Sequence, residues 1–158
     1  MNKDFELAEV RLPDFGVPEQ FPKLDDTIYS QRLDGLRRMA ADKGLQRIVV
    51  YADREHFANL SYLCGLDPRF EEALLIVSQS GDLVLITGPE NQAYAQQSPV
   101  ALRLALYPPF GLLGQDRSNT PDLAELLVQS GLGPGKSTGV VGWKYFTDAE
   151  SKLKCHQG

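Results

Sequence analysis

Residues 131–138, GLGPGKST, nearly match a phosphate-binding loop, which requires a glycine, four residues and then Gly-Lys-Ser/Thr. The first glycine of that pattern falls on Ser130. Hydrophobic periodicity also predicts a helix before this segment and a strand after it. A phosphate loop instead leads from a strand into a helix, whose N-terminal amides face the phosphates. The segment therefore favours a helix C-cap and a turn over a nucleotide-binding site.

A second candidate is a cysteine with a histidine, the pair that a cysteine hydrolase requires. His56 and Cys64 are eight residues apart, about 12 Å along a helix, which is too far for a base to touch a nucleophile. The chain's other pair, Cys155 and His156, lies in the C-terminal tail. Two cysteines without a CxxC spacing predict reduced thiols and a cytoplasmic protein.

The acidic group Asp67, Glu71 and Glu72, with Arg69 among them, is a third candidate. Three carboxylates can hold a hard cation, but further oxygen ligands are missing here. A solvated loop in which Arg69 pairs with its acidic neighbours is the favoured interpretation. The sequence therefore predicts no metal site in this chain.

The fourth candidate is a polar and aromatic set, Asp53, Arg54, His56, Phe57 and Tyr62. Its first members follow the end of a predicted strand, and ligands of α/β sheets bind preferentially at that edge. The alternative is that these side chains cap a helix and pack on the surface. None of the four candidates combines nucleophile, base and orienting group, so we predict no catalytic residue.

Apolar periodicity predicts the elements that would position these groups. Tyr29, Leu33, Leu36 and Ala40 share one face of a helix that begins near Asp25 and ends at Gly44. A hairpin is predicted where two apolar runs flank a turn at residues 80–82. The predicted strands are 47–51, 73–77, 83–87, 101–107 and 138–142, and the other helices are 53–63, 90–97 and 120–131.

These elements predict one α/β domain with a mixed sheet of about five strands and helices on both faces. We divide the chain into an extended arm (1–24), the α/β domain (25–147) and a tail (148–158). Prolines at positions 13, 18 and 22 recur among aromatic residues of the arm, which excludes a helix there. The arm either docks on another surface or is a frayed terminus.

Composition excludes several classes of protein. The chain has 158 residues, 42% of them hydrophobic and 23% charged, as in an ordinary globular domain. Its net charge is −5, and Lys and Arg form no basic stripe, so we expect no nucleic-acid partner. The longest apolar run, residues 73–77, is far shorter than the roughly 20 residues of a membrane span. We therefore expect no membrane association.

Several segments resemble, in order and wording, the amino-terminal domain of the creatinase/prolidase family. In that family a Tyr-x-x-Arg-Leu-x-x-Leu pattern precedes Gly-Leu and a strand, and residues 29–36 (YSQRLDGL) and 44–51 (GLQRIVVY) fit it. Residues 62–66 (YLCGL) are similar to the family's Tyr-Leu-Thr-Gly-Phe, with Cys64 in place of threonine. Residues 139–144 (GVVGWK) resemble the last strand of the domain.

The resemblance implies a three-layer α/β/α domain with a ribonuclease H-like motif. It also implies a two-domain hydrolase of the pita-bread type, such as an Xaa-Pro aminopeptidase or dipeptidase. Two Asp, one His and two Glu of the family's carboxy-terminal domain bind two divalent ions (Mn, Co or Zn). We expect that catalytic domain to be absent from this chain, as in a cut or frameshifted product, so no catalytic residue carries over.

By the same resemblance, the amino-terminal domain forms homodimers and closes over the cleft for a proline-containing peptide. The loops that carry Arg54, His56, Phe57 and Arg69 are then expected to face the substrate. The predicted function is that of a non-catalytic domain, inactive alone, of a metal-dependent Xaa-Pro peptidase. The alternative is a free-standing α/β module that binds a protein partner or a small ligand.

Overall fold

Helix α1 (Asp26–Asp42) begins and ends where the sequence predicts. The Asp25 side chain caps it by accepting hydrogen bonds from the backbone N–H groups of Thr27 and Ile28. Gly44, just beyond the helix, has a φ of 66°, a left-handed conformation that favours glycine. The computed structural model describes residues 7–17, 19–20 and 24–142. The predicted tail lies outside these residues, and Phe15 and Val17 of the described part of the arm are exposed.

Five strands form one mixed sheet, as predicted. The sheet order is β4-β3-β2-β1-β5. β2 is antiparallel to both β1 and β3, whereas β5 is parallel to β1 and β4 is parallel to β3. The strands are β1 (Arg47–Ala52), β2 (Ala73–Ser78), β3 (Leu83–Thr87), β4 (Arg103–Leu106) and β5 (Thr138–Val141).

Helices cover both faces of the sheet, because alternate strand residues point to opposite faces. Val50, Leu75 and Leu85 pack with residues of α1, α2 and α3. Ile76 and Ile86 pack on the other face with the side of α4 that faces the sheet. These helices are α2 (Ala58–Cys64), α3 (Gln92–Ala95) and α4 (Leu123–Gln129).

Several predicted boundaries are wrong. The helix predicted over 53–63 begins only at Ala58, because the Asp53 carboxylate binds the backbone amides of the next residues and holds them in a turn. The helix predicted from Thr120 begins at Leu123 and is capped by Asp122. The strand predicted over 101–107 covers only Arg103–Leu106. Residues 90–97 form a 3₁₀ turn (Pro89–Asn91) followed by the one-turn helix α3.

Strand register brings several loops to one edge of the sheet, which we call the carboxyl edge. Ala52, the last residue of β1, lies opposite Ala73, the first residue of β2. Ala73 also lies opposite Thr87, and Thr87 opposite Leu106, at the ends of β3 and β4. The loops that leave or enter the sheet at this edge are 53–57, 65–72, 88–91 and 107–122.

Within the described ranges, no helix combines the length and the apolar character needed to cross a membrane.

Candidate functional site

The four residues predicted to face a substrate lie in two loops at the carboxyl edge. Arg54, His56 and Phe57 follow β1, and Arg69 precedes β2. Since the end of β1 lies opposite the start of β2, the register places these two loops beside each other. This is the edge at which α/β sheets most often bind ligands.

A carboxylate fixes the imidazole of His56. Asp53 Oδ1 lies 2.8 Å from His56 Nδ1 and accepts hydrogen bonds from the backbone N–H groups of Glu55 (2.8 Å) and His56 (2.7 Å). The Tyr51 hydroxyl donates to Asp53 Oδ2 at 3.1 Å. Burial opposes ionisation of Asp53, but these hydrogen bonds outweigh it and hold its pKa below the ordinary value. The carboxylate therefore orients the ring, whose Nε2 can serve a ligand.

The other predicted residues form an exposed cationic and aromatic surface. The Arg54 guanidinium carbon lies 5.9 Å from the centre of the Phe70 ring. Arg69 has a φ of 61°, and Asp67 Oδ1 accepts a hydrogen bond from its backbone N–H at 2.9 Å. Phe57 and Phe70 are both exposed. The sequence did not predict that Phe70 belongs to this surface, because a single aromatic residue in a loop gives no periodic pattern.

Glu71 differs most from its prediction, since it is not part of a solvated acidic loop. It is 2% exposed, and its carboxyl oxygens accept hydrogen bonds from the backbone N–H groups of Glu90 and Asn91, both at 3.0 Å. Burial, together with a side-chain hydrogen bond to Glu90, raises its pKa to about 7. The hydrogen bond from Glu71 lowers the pKa of Glu90. The two carboxyl groups therefore titrate as a coupled pair, in which Glu71 keeps its proton to higher pH than Glu90 does.

The backbone at two glycines packs closely against the Glu71 and Glu90 side chains. A Cβ added to Gly88 would collide with Glu71 Oε1, and one added to Gly111 would lie 3.2 Å from the same atom. Glu90 Oε1 also accepts hydrogen bonds from the backbone N–H of Leu112, at 3.3 Å, and from Gln115 Nε2. The pair thus ties the loop after β4 to the loops beside it.

The described residues do not fit the ligand set of a divalent metal. Within residues 7–17, 19–20 and 24–142, no group of three or more His, Cys, Asp or Glu is arranged to hold an ion. Glu71 is occupied by backbone amides, and Asp67 lies 4.0 Å from the Nε of Arg69.

The remaining candidates lie away from the carboxyl edge or lack an accessible group. Cys64 is completely buried, and burial raises the pKa of its thiol to about 12, so it is no nucleophile. Tyr62 stacks against Arg32 of α1, with its ring centre 4.2 Å from the guanidinium carbon. Residues 131–138 lead from α4 into β5, as the sequence predicts.

Comparison with known proteins now decides the family. The model of the creatinase/prolidase N-terminal domain matches residues 32–148. The chain belongs to this family. Membership confirms the resemblance seen in the sequence, and it does not favour the alternative of a free-standing binding module.

Two solved structures are among those similar to this chain. An Xaa-Pro aminopeptidase from Streptococcus pyogenes is 20% identical, with 73% of this chain and 92% of that chain covered and a TM-score of 0.48. Dipeptidase PepE from Mycobacterium ulcerans is 17% identical, with 86% of this chain and 38% of that chain covered and a TM-score of 0.44. No curated protein gives a match.

Proposed function

We propose that this chain is the non-catalytic amino-terminal domain of a metal-dependent Xaa-Pro aminopeptidase or dipeptidase of the cytoplasm. The family match over residues 32–148 carries the proposal. The two divalent ions, Mn, Co or Zn, belong to a separate carboxy-terminal domain, where they would activate water for attack on the peptide carbonyl. This chain contributes binding and assembly.

The carboxyl edge is the surface that we assign to the substrate cleft. Arg54 and Arg69 offer guanidinium donors for the carbonyls or carboxylate of a peptide. His56 offers an oriented ring nitrogen, and Phe57 offers an exposed aromatic face for a proline ring. β5 runs parallel to β1, so the chain reaches Gly142 at this same edge.

Closure by a partner is part of the proposal. In a homodimer, the carboxyl edge of one protomer would cover the cleft of its partner and exclude water from the bound peptide. The acid pair Glu71–Glu90 would then serve as a rigid support, because it holds the loops of the edge together.

The test is to join the chain to the catalytic domain of the same source and to measure kcat/KM on Xaa-Pro peptides. We expect the joined enzyme to be a dimer with a higher kcat/KM than the catalytic domain alone. Arg54→Ala should lower kcat/KM about tenfold, the effect of losing one charged contact in a cleft.

The matched control is Arg38→Ala, which removes an exposed arginine of α1 instead. It should leave kcat/KM within about twofold of the value for the joined enzyme. A twofold change corresponds to less free energy than one hydrogen bond contributes. Equal losses for the two variants, or equal kcat/KM with and without this chain, would overturn the proposal.

A further inference from the structure

A second concave site lies at the opposite edge of the sheet, where β1, β3 and β4 begin. It is a cavity of about 570 Å³ between the sheet and the C-terminal end of α4. Ile76 and Val84 form an apolar floor, and they lie on the sheet face that α4 covers. Arg47, Arg103 and Ser130 line the polar side. The carboxyl edge contributes no residue to this cavity.

Two arginines of the cavity have no acidic partner in the described part of the chain. Arg47 Nη1 donates to the Gln46 carbonyl at 2.9 Å, and Arg103 Nη2 donates to the Gln129 carbonyl at 3.2 Å. Each guanidinium carries five N–H groups, so most of its donors stay available. Asp82 is the one acidic residue of the described lining, and its Oδ2 accepts a hydrogen bond from Ser80 at 2.9 Å.

At the end of α4, the two guanidiniums lie beside the residues that flank Ser130. Arg103 is bonded to residue 129, and a Cβ added to Gly131 would lie 3.3 Å from Arg47 Nε. Gly131 has a φ of +97°, a backbone conformation that favours glycine, and the nearby Arg47 leaves little room for a side chain. A side chain here would also press on Arg47, which would have to shift slightly.

Ser130 adds a polar group without a partner. The residue is 5% exposed, and its hydroxyl has no hydrogen-bond partner in the structure as described. Leaving a buried hydroxyl unpaired costs stability, so such groups call for an explanation. Rotation about one bond redirects a serine hydroxyl without moving the backbone.

We propose that this cavity binds a small organic anion through its phosphate or carboxylate group. Arg47 and Arg103 would neutralise the anion, and the Ser130 hydroxyl would turn to donate to it. The apolar body of the ligand would rest on Ile76 and Val84. The site is independent of the carboxyl edge and of any peptidase activity.

The test is an amide NMR titration of the whole chain with three ligands that share a phenyl ring: phenyl phosphate, benzoate and benzyl alcohol. Phenyl phosphate, benzoate or both should shift the amides of residues 47, 103 and 130 with a Kd below about 1 mM. The uncharged benzyl alcohol should shift none of them. The tighter of the two anions identifies the preferred group.

Variants separate binding from structure. Arg103→Gln should weaken anion binding at least about tenfold, whereas Arg38→Gln on α1 should leave Kd within about twofold. Ser130→Ala should weaken binding without lowering Tm, because it removes an unpaired buried hydroxyl. Absence of shifts with both anions, or equal Kd values for Arg103→Gln and the unaltered chain, would overturn the proposal.

Discussion

Glu71 makes the stability of this domain depend on pH. Its folded pKa of about 7 lies above the ordinary value of 4.5, first because of burial and then because of its hydrogen bond to Glu90. Between these two pH values the folded state binds more protons than the unfolded state. The contribution of Glu71 to stability is therefore complete below about pH 4.5 and falls as the pH rises towards 7. The lowered pKa of Glu90 acts in the opposite sense, and its contribution is lost in more acidic solution.

Glu71→Gln should remove much of this pH dependence. Glutamine has no proton to lose at these pH values, and its NH₂ group can donate to the Glu90 carboxylate. Its single oxygen can accept from the backbone N–H of Glu90 or of Asn91 but not from both, because these bind Oε1 and Oε2 of Glu71 separately, so the variant should also be less stable at both pH values. Urea unfolding at pH 5 and pH 7.5 measures the effect, and the difference in unfolding free energy between the two pH values should shrink.

The control for that experiment is Glu72→Gln, the exposed neighbour of Glu71. It should leave the difference between pH 5 and pH 7.5 as it is in the unaltered chain. A Glu71→Gln variant that keeps the full pH dependence would show that another group is responsible.

At the scale of elements, α4 depends on a cap that sequence reasoning placed two residues too early. Thr120-Pro121-Asp122 predicts a capping hydroxyl, but Asp122 is the N-cap and accepts from the Glu125 backbone N–H at 2.9 Å. The Thr120 hydroxyl instead donates to the Arg117 carbonyl at 2.8 Å, in the preceding turn. Thr120 and Asp122 are both good N-cap residues, so the sequence does not show which of them begins the helix. The preceding turn binds the Thr120 hydroxyl and leaves Asp122 as the cap.

Asp122→Ala should destabilise the chain by about 1 kcal/mol, the usual cost of losing an N-cap. Asp122→Asn is the matched control, because asparagine caps a helix as well as aspartate does, and it should cost little. Chemical denaturation of both variants at neutral pH measures the difference. Equal stability of the Ala and Asn variants would contradict the capping role.

The strands and α1 could be predicted because their signals are local. Unbroken apolar runs mark β1, β2 and β3, and Asp25 and Gly44 mark the ends of α1. The loop at 53–57 could not be predicted, because an aspartate that accepts from the backbone N–H groups two and three residues later also fits the N-cap of a helix.

The candidate site could be predicted only in outline. The sequence places Arg54 and His56 directly after β1, which predicts that they lie at the edge of the sheet where ligands usually bind. The pairing of Glu71 with Glu90 is not, because the two residues are 19 positions apart and meet only through the register of β2 with β3. The cavity at the other edge depends in the same way on Arg47 and Arg103, which come from distant strands.

At the scale of the whole molecule, we assign different roles to the two edges of the sheet. The carboxyl edge carries the oriented His56 and the exposed Arg54, which we assign to a peptide and a catalytic domain. The opposite edge carries the cavity that we assign to a small anion. The buried strands β2 and β3 separate them, so a variant at one edge should leave the other unchanged.

We propose that this chain carries no catalytic or metal centre within residues 7–17, 19–20 and 24–142. The most direct measurement combines an Xaa-Pro hydrolysis assay of the purified chain, with Mn²⁺, Co²⁺ or Zn²⁺ added, and amide NMR spectra with equimolar Mn²⁺. Mn²⁺ is paramagnetic and broadens the amide signals around any site that binds it. We predict no turnover with any of the ions and no selective broadening. Metal-dependent turnover, together with selective broadening at one cluster of residues, would contradict the account.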